Sequence, residues 1–128
     1  MEAHERPDYG LTRRVIGCAI EVHRLLGPRL LESAYEQALA HELSCAGLHF
    51  ARQIQLPVNY KGLTLSCGYR LDLLVENRLI LELKSVEALQ AVHQAQLLSY
   101  LRLSGYPYGL LINFNSYRLK EGIKRLIK

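Results

Sequence analysis

Gly68-Tyr69-Arg70-Leu71-Asp72-Leu73-Leu74-Val75-Glu76-Asn77-Arg78-Leu79-Ile80-Leu81-Glu82-Leu83-Lys84 sets two apolar runs around a short polar turn, the pattern of a β-hairpin. Three charges interrupt the runs: Asp72 in the first, Glu82 and Lys84 at the end of the second. Burying a charge is costly unless it is paired or bound to a metal. Side chains alternate along a strand, so Glu82 and Lys84 share a face with Ile80, and Leu79, Leu81 and Leu83 take the other. The turn decides where Asp72 goes. A two-residue turn at Glu76-Asn77 pairs Val75 with Arg78 and sends Asp72 to the face opposite Glu82. A three-residue turn, Glu76-Asn77-Arg78, pairs Val75 with Leu79 and Asp72 with Glu82. Asn77 tolerates the left-handed residue that such loops use. In that register Asp72, Glu82 and Lys84 form one cluster. Facing carboxylates repel unless a cation lies between them, and oxygen ligands of this kind suit Mg²⁺ or Mn²⁺. The competing reading is a surface hairpin whose charges face water. The flanking leucines argue against it.

Working outward, the chain has 128 residues, 49% of them hydrophobic and 22% charged, which suits one domain over residues 1–128. Its net charge is +4 and its isoelectric point about 9.1. That mild basicity permits a polyanionic partner without requiring one. No apolar run approaches the roughly 18 residues of a membrane span. The N-terminus lacks the apolar core of a signal peptide, so a cytoplasmic, intracellular protein is expected. Cys18, Cys45 and Cys67 are odd in number and widely spaced, which points to reduced thiols rather than a disulfide framework or a zinc site. The five histidines add no ligand pattern.

Residues 1–10 read as a polar, flexible lead-in. A helix is predicted from Leu11 to Leu26, with Leu11, Val15, Cys18, Ala19, Val22, Leu25 and Leu26 on one face. Thr12 or Asp8 could cap it, and Gly27-Pro28 ends it. A second helix runs from Leu30 or Leu31 to Cys45. On it Glu32 and Tyr35 are neighbours at i, i+3; the plain account of Glu32 is a first-turn acid favoured by the helix dipole. Phe50–Tyr60 alternates as a strand that Pro57 weakens. Lys61-Gly62 is a turn, Leu63–Cys67 continues as strand, and Gly68 could mark a bulge before the hairpin. After Lys84, Ser85 is a candidate N-cap for a helix from Val86 or Glu87 to Leu103, with Leu89, Val92, Gln96, Ser99, Tyr100 and Leu103 on one face. Gln96 and Tyr100 lie four apart and can point to one place, although a glutamine in such a stripe is ordinarily a satisfied boundary residue. Tyr108–Phe114 reads as a buried strand. The basic tail from Tyr117 to Lys128 is a short helix or a last strand. This order implies a mixed sheet with helices packed on it.

The spacing Asp, about ten residues, then Glu-x-Lys, carried by Asp72, Glu82, Leu83 and Lys84, resembles the core signature of the PD-(D/E)XK nuclease superfamily. Four ordered blocks together resemble the GxxExxY proteins within it: Leu26–Glu36, Gly68–Glu76, Leu81–Ser85 and His93–Leu101. Gln96 and Tyr100 also match the Q-h-x-x-Y signature of RecB-like nucleases. The resemblance spans Leu11 to Ile127. It implies an α/β (α+β) fold with a restriction-endonuclease-like α-β-β-β-α-β core, its central mixed sheet flanked by helices. The function it implies is a Mg²⁺-dependent nuclease acting on DNA, or on RNA, with Mn²⁺ able to substitute for Mg²⁺.

By the same resemblance Asp72, Glu82, the backbone carbonyl of Leu83 and Glu32 would hold the metal. Lys84 would orient or deprotonate the attacking water, and Gln96 and Tyr100 would orient Lys84 or touch the nucleic acid. Tyr35 would support the site. A phosphodiester needs an activated water, a Lewis acid and an opposing charge, and two carboxylates with a lysine supply these roles. One position departs from the pattern. Arg29 stands where the first glycine of the motif should be, and could contact a phosphate, fill the pocket or mark a change of use. The alternative function is therefore a non-cutting relative that binds nucleic acid or a protein. A core this small could also work as a homodimer.

Overall fold

The computed structural model describes residues 9–128. The lead-in expected over residues 1–10 and the possible cap Asp8 fall almost wholly outside the described residues. Helix α1 spans Tyr9–Leu26 and α2 Glu32–Cys45. Strands β1 (Phe50–Gln55), β4 (Arg70–Val75), β5 (Leu79–Lys84), β6 (Tyr108–Asn113) and β7 (Ile123–Ile127) form one sheet in the order β1-β4-β5-β6-β7. Only the β5–β6 pair is parallel; its crossover is helix α3, Ala91–Ser104. β2 (Val58–Tyr60) and β3 (Leu63–Leu65) make a separate hairpin. The sheet is therefore mixed and flanked by helices, as expected.

Each face of the sheet carries its own core. Leu73, Val75, Leu79, Leu81, Leu83, Leu110 and Ile112 pack with Val15, Ala19, Tyr35 and Leu39 of α1 and α2. Leu71, Leu74, Ile80 and Leu111 pack with Leu97, Tyr100 and Leu101 of α3. Gly109 of β6 allows α3 to lie close, because a Cβ there would meet the Leu97 side chain at 3.0–3.1 Å.

Several boundaries differ from the sequence reading. The strand expected over Phe50–Tyr60 breaks at Leu56-Pro57 into β1 and β2, because proline cannot continue the ladder. The tail contains both alternatives, a 3-10 turn at Leu119–Gly122 followed by β7. Leu25 and Leu26, expected on the buried face of α1, are exposed, as is Leu31 before α2.

The helix expected from Val86 begins at Ala91 instead, and Ser85 does not cap it. The reason is tertiary. Ser85 donates its hydroxyl to the Leu30 carbonyl (2.6 Å) and its amide to Glu32 Oε2 (3.3 Å). Val86 is clamped by Asn113, which accepts the Val86 amide (3.1 Å) and donates to its carbonyl (2.9 Å). Residues 85–90 are thus held as a loop. Gln90 precedes α3, its amide donating to His93 Nδ1 (2.9 Å). The buried stripe of α3 is Leu97, Tyr100 and Leu101; Val92 and Leu103 are exposed.

Candidate active site

The hairpin register is the three-residue one: Val75 faces Leu79, Leu74 faces Ile80 and Leu73 faces Leu81. Glu76 and Asn77 both take positive φ (52° and 57°) to make the turn. Continued one step, this register sets Asp72 opposite Glu82, where the backbone ladder stops. Side chains replace it there. The Asp72 amide donates to Glu82 Oε1 (3.3 Å), and the Leu83 amide donates to Asp72 Oδ2 (2.8 Å). Each carboxylate therefore fastens onto the backbone of the opposite strand.

Asp72 marks a local twist in β4. Leu71 and Leu74 both pack on the α3 side, whereas Leu73 and Val75 pack against α1 and α2, so strict alternation fails at Asp72. Its neighbour across β1 is displaced too. The β1–β4 pairing runs through Arg52↔Leu73 and resumes at Ile54↔Leu71, skipping Gln53, whose φ is 51°. Asp72 thus sits where the ladders to both neighbouring strands are interrupted, and its carboxylate is free of the sheet's regular pattern.

The electrostatics follow from burial. Glu82 is 5% exposed. Desolvation, reinforced by the charge on Asp72, pushes its carboxyl from the ordinary 4.5 up to about 8. Asp72 is also raised, chiefly by burial, and next opposed by the hydrogen bond from the Leu83 amide. Lys84 favours ionisation of both carboxylates through its charge, without an ion pair to either among the described residues. Glu32 opposes ionisation of both. A buried and a half-buried carboxylate that both resist ionising would be eased by a cation between them, whose charge offsets the burial and their mutual repulsion.

The remaining expected residues fall into place around this pair. Glu32, exposed in the first turn of α2, is held to the end of β5 by the Ser85 amide. Tyr100 is buried on α3, and its hydroxyl is raised by burial and then by the charges of Glu82 and Asp72. Gln96, one turn earlier, is half-buried, and its side chain takes part in no hydrogen bond among the described residues. Leu83 lies in the parallel pair with Ile112 of β6. Tyr35 is fully buried and reaches no solvent. It stacks on Phe114 (centroids 4.4 Å apart), accepts the Leu30 amide (3.1 Å) and donates to the Gly27 carbonyl (2.5 Å). Tyr35 is therefore a support for the loop that leads into Glu32, not a residue that touches substrate. Arg29, exposed in that loop, has φ 76°.

Sequence reasoning missed Glu36. It is buried one turn beyond Glu32, accepts from Arg52 Nε (3.0 Å) and Gln53 Nε2 (2.6 Å), and raises Asp72. Its i, i+4 spacing from Glu32 was a usable signal; nothing in the sequence linked Arg52 or Gln53 to it.

Among the described residues no three His, Cys, Asp or Glu side chains form a ready metal cage. The centre is the pair Asp72 and Glu82, with Glu32 and Glu36 standing beside it. The donor set fits a hard divalent ion: both groups are carboxylates, and Asp72 Oδ1 and Glu82 Oε2 accept no hydrogen bond among the described residues. A family model of the PD-(D/E)XK nuclease superfamily matches residues 9–126. The chain belongs to that superfamily. Comparison with curated proteins and with solved structures gives no significant match. Nucleases of the PD-(D/E)XK superfamily generally use divalent metals, in keeping with the carboxylate pair. No helix among the described residues is long and apolar enough to cross a membrane.

Proposed function

We propose that this PD-(D/E)XK domain is a Mg²⁺-dependent nuclease of the GxxExxY type that hydrolyses phosphodiester bonds of DNA. One observation carries the reading: at the open end of the hairpin, a buried and a half-buried carboxylate replace the backbone ladder next to a lysine. Each acid satisfies one backbone amide of the opposite strand, a task that needs an acceptor but not a charge, so the two charges ask for a further reason.

Asp72 and Glu82 would hold the ion, with the Leu83 carbonyl and Glu32 as further oxygen donors. When bound, Mg²⁺ supplies Lewis acidity to a phosphoryl oxygen and lowers the pKa of a water. Lys84 orients that water and offsets the charge that builds on the phosphate during attack. Tyr100 and Gln96 present polar groups from α3 to Lys84 or the substrate backbone. Arg29 contributes positive charge to the strand's path. Mn²⁺ should substitute for Mg²⁺, since both accept oxygen ligands. The free thiols Cys18, Cys45 and Cys67 suit a reducing, cytoplasmic setting. Two copies would grip a duplex better than one, which size-exclusion chromatography with duplex DNA tests.

The experiment is cleavage of plasmid, single-stranded DNA and RNA in Mg²⁺ or Mn²⁺, with Asp72→Ala and Lys84→Ala as controls. Cleavage lost in both variants supports the reading. Wild-type cleavage no greater than that of the variants refutes it. The second reading, a non-cutting binding module, rests on Arg29 in the glycine position of the motif. It predicts salt-sensitive DNA binding without cutting.

A further inference from the structure

Tyr69 is an aromatic ring at the entry to β4 that packs on one side only. It is 44% exposed, lies three residues before Asp72, and is separated from the carboxylates by one buried ring. Its ring meets Tyr100 at 6.1 Å between centroids, tilted by 59°, and Tyr100 in turn feels the charges of Glu82 and Asp72. The Tyr69 backbone is fixed: its carbonyl accepts the Leu56 amide at 2.8 Å, and Gly68 before it takes φ 80° to set the entry into β4. A ring on a held backbone, in contact with Tyr100 and with a large exposed area, is a ready stacking platform. Arg70 follows it, exposed and without an ion pair among the described residues, but strand alternation turns it to the other side of β4, so the platform is the ring alone.

We propose that Tyr69 stacks an unpaired nucleobase of the substrate and thereby seats the adjoining phosphate at the Asp72–Glu82 centre. This deepens the nuclease reading and rests on it. The occupant is a single strand or a frayed end, because a base within a duplex has no free face to offer. The tyrosine therefore sets specificity for unpaired strands, and acts as a positioning residue for cleavage.

The chain contains no tryptophan, so Tyr69→Trp creates a lone fluorescent reporter at this position. Placed in an Asp72→Asn background, it reads binding whether or not the protein cuts. Titration with oligothymidylate and oligouridylate should quench it, with the two arms distinguishing DNA from RNA, while a blunt duplex of the same length should not. By fluorescence anisotropy of a dye-labelled oligonucleotide, Tyr69→Ala in the same background should weaken single-strand binding roughly 5- to 100-fold, the loss of about one stacked base, and Tyr69→Phe should retain it. In the cleavage-competent protein, Tyr69→Ala should raise KM for single strands more than it lowers kcat. No quenching at saturating oligonucleotide, or equal affinity of the Tyr69→Ala and Tyr69 proteins, overturns the inference. Absence of cutting by wild-type protein, with quenching intact, overturns the nuclease reading alone.

Discussion

Glu82→Gln should stabilise the metal-free protein while abolishing its activity. The folded state holds the Glu82 carboxyl at about 8, against an ordinary 4.5. The native state therefore binds more protons than the unfolded one between these values. By linkage, stability falls as pH rises through that window. The protonated form's contribution is complete below pH 4.5 and is lost progressively up to about pH 8. At 1.36 kcal/mol per pKa unit, the ionisation penalty reaches about 3 kcal/mol at pH 7 as an upper bound. Glutamine keeps the shape, keeps an acceptor for the Asp72 amide and carries no charge. It should return about 1–3 kcal/mol at pH 7–8, a rise in Tm of roughly 5–10 °C for a domain of this size.

Thermal melts in EDTA at pH 5, 7 and 8.5 provide the assay. Wild-type Tm should fall across the series, and the Glu82→Gln variant should follow a flatter course. At pH 5 the two should nearly coincide. Mg²⁺ or Mn²⁺ should raise the wild-type Tm most at pH 8, where the ion offsets the larger penalty, and should have little effect on the variant. Equal Tm values at pH 8 in EDTA, with parallel pH courses, would refute the argument that these carboxylates sit where the fold resists their charge.

Three further outcomes are expected. Arg29→Gly should stabilise the protein by about 1 kcal/mol, because a non-glycine residue at φ 76° carries a left-handed strain of roughly 1–2 kcal/mol; unfolding in urea with unchanged or lower stability would count against it. Tyr35→Phe removes the bonds to Gly27 and Leu30, and should cost about 1–2 kcal/mol in the same assay, with cleavage reduced although no substrate contact is lost. Glu36→Gln removes a charge that raises Asp72, so the acidic limb of the pH–rate profile should move to lower pH; an unmoved limb would mean that Asp72 ionisation does not govern that limb.

The parts of the site that could be read from the sequence are those governed by strand parity and turn length. Asn77 at positive φ fixed the turn, the turn fixed the register, and the register put Asp72 opposite Glu82. The start of α3 could not be read this way. Ser85 has every local feature of an N-cap, but its hydroxyl and amide are taken by Leu30 and Glu32, more than fifty residues earlier in the chain. Asn113, which clamps Val86, comes from the next strand. Local propensity loses to such long-range bonds because each satisfies a backbone group that would otherwise be orphaned. Gln53 was invisible for a related reason: its left-handed backbone is imposed by the interrupted pairing around Asp72, not by its own side chain.

Arg29 shows how a departure from a motif can leave a fold intact. If glycine served there to leave space, arginine would have to be buried or displace a neighbour. The side chain is instead exposed, and the backbone keeps the positive φ that glycine favours. The requirement at this position is thus conformational. Tyr35 enforces it by holding Gly27 and Leu30 on either side, and Ser85 ties the same loop to the end of β5. The loop therefore delivers Glu32 to the same place whichever residue occupies position 29. What arginine adds is a positive charge on the exposed side of that loop. In a protein that must approach a polyanion, such a charge is a gain in attraction bought with a little backbone strain.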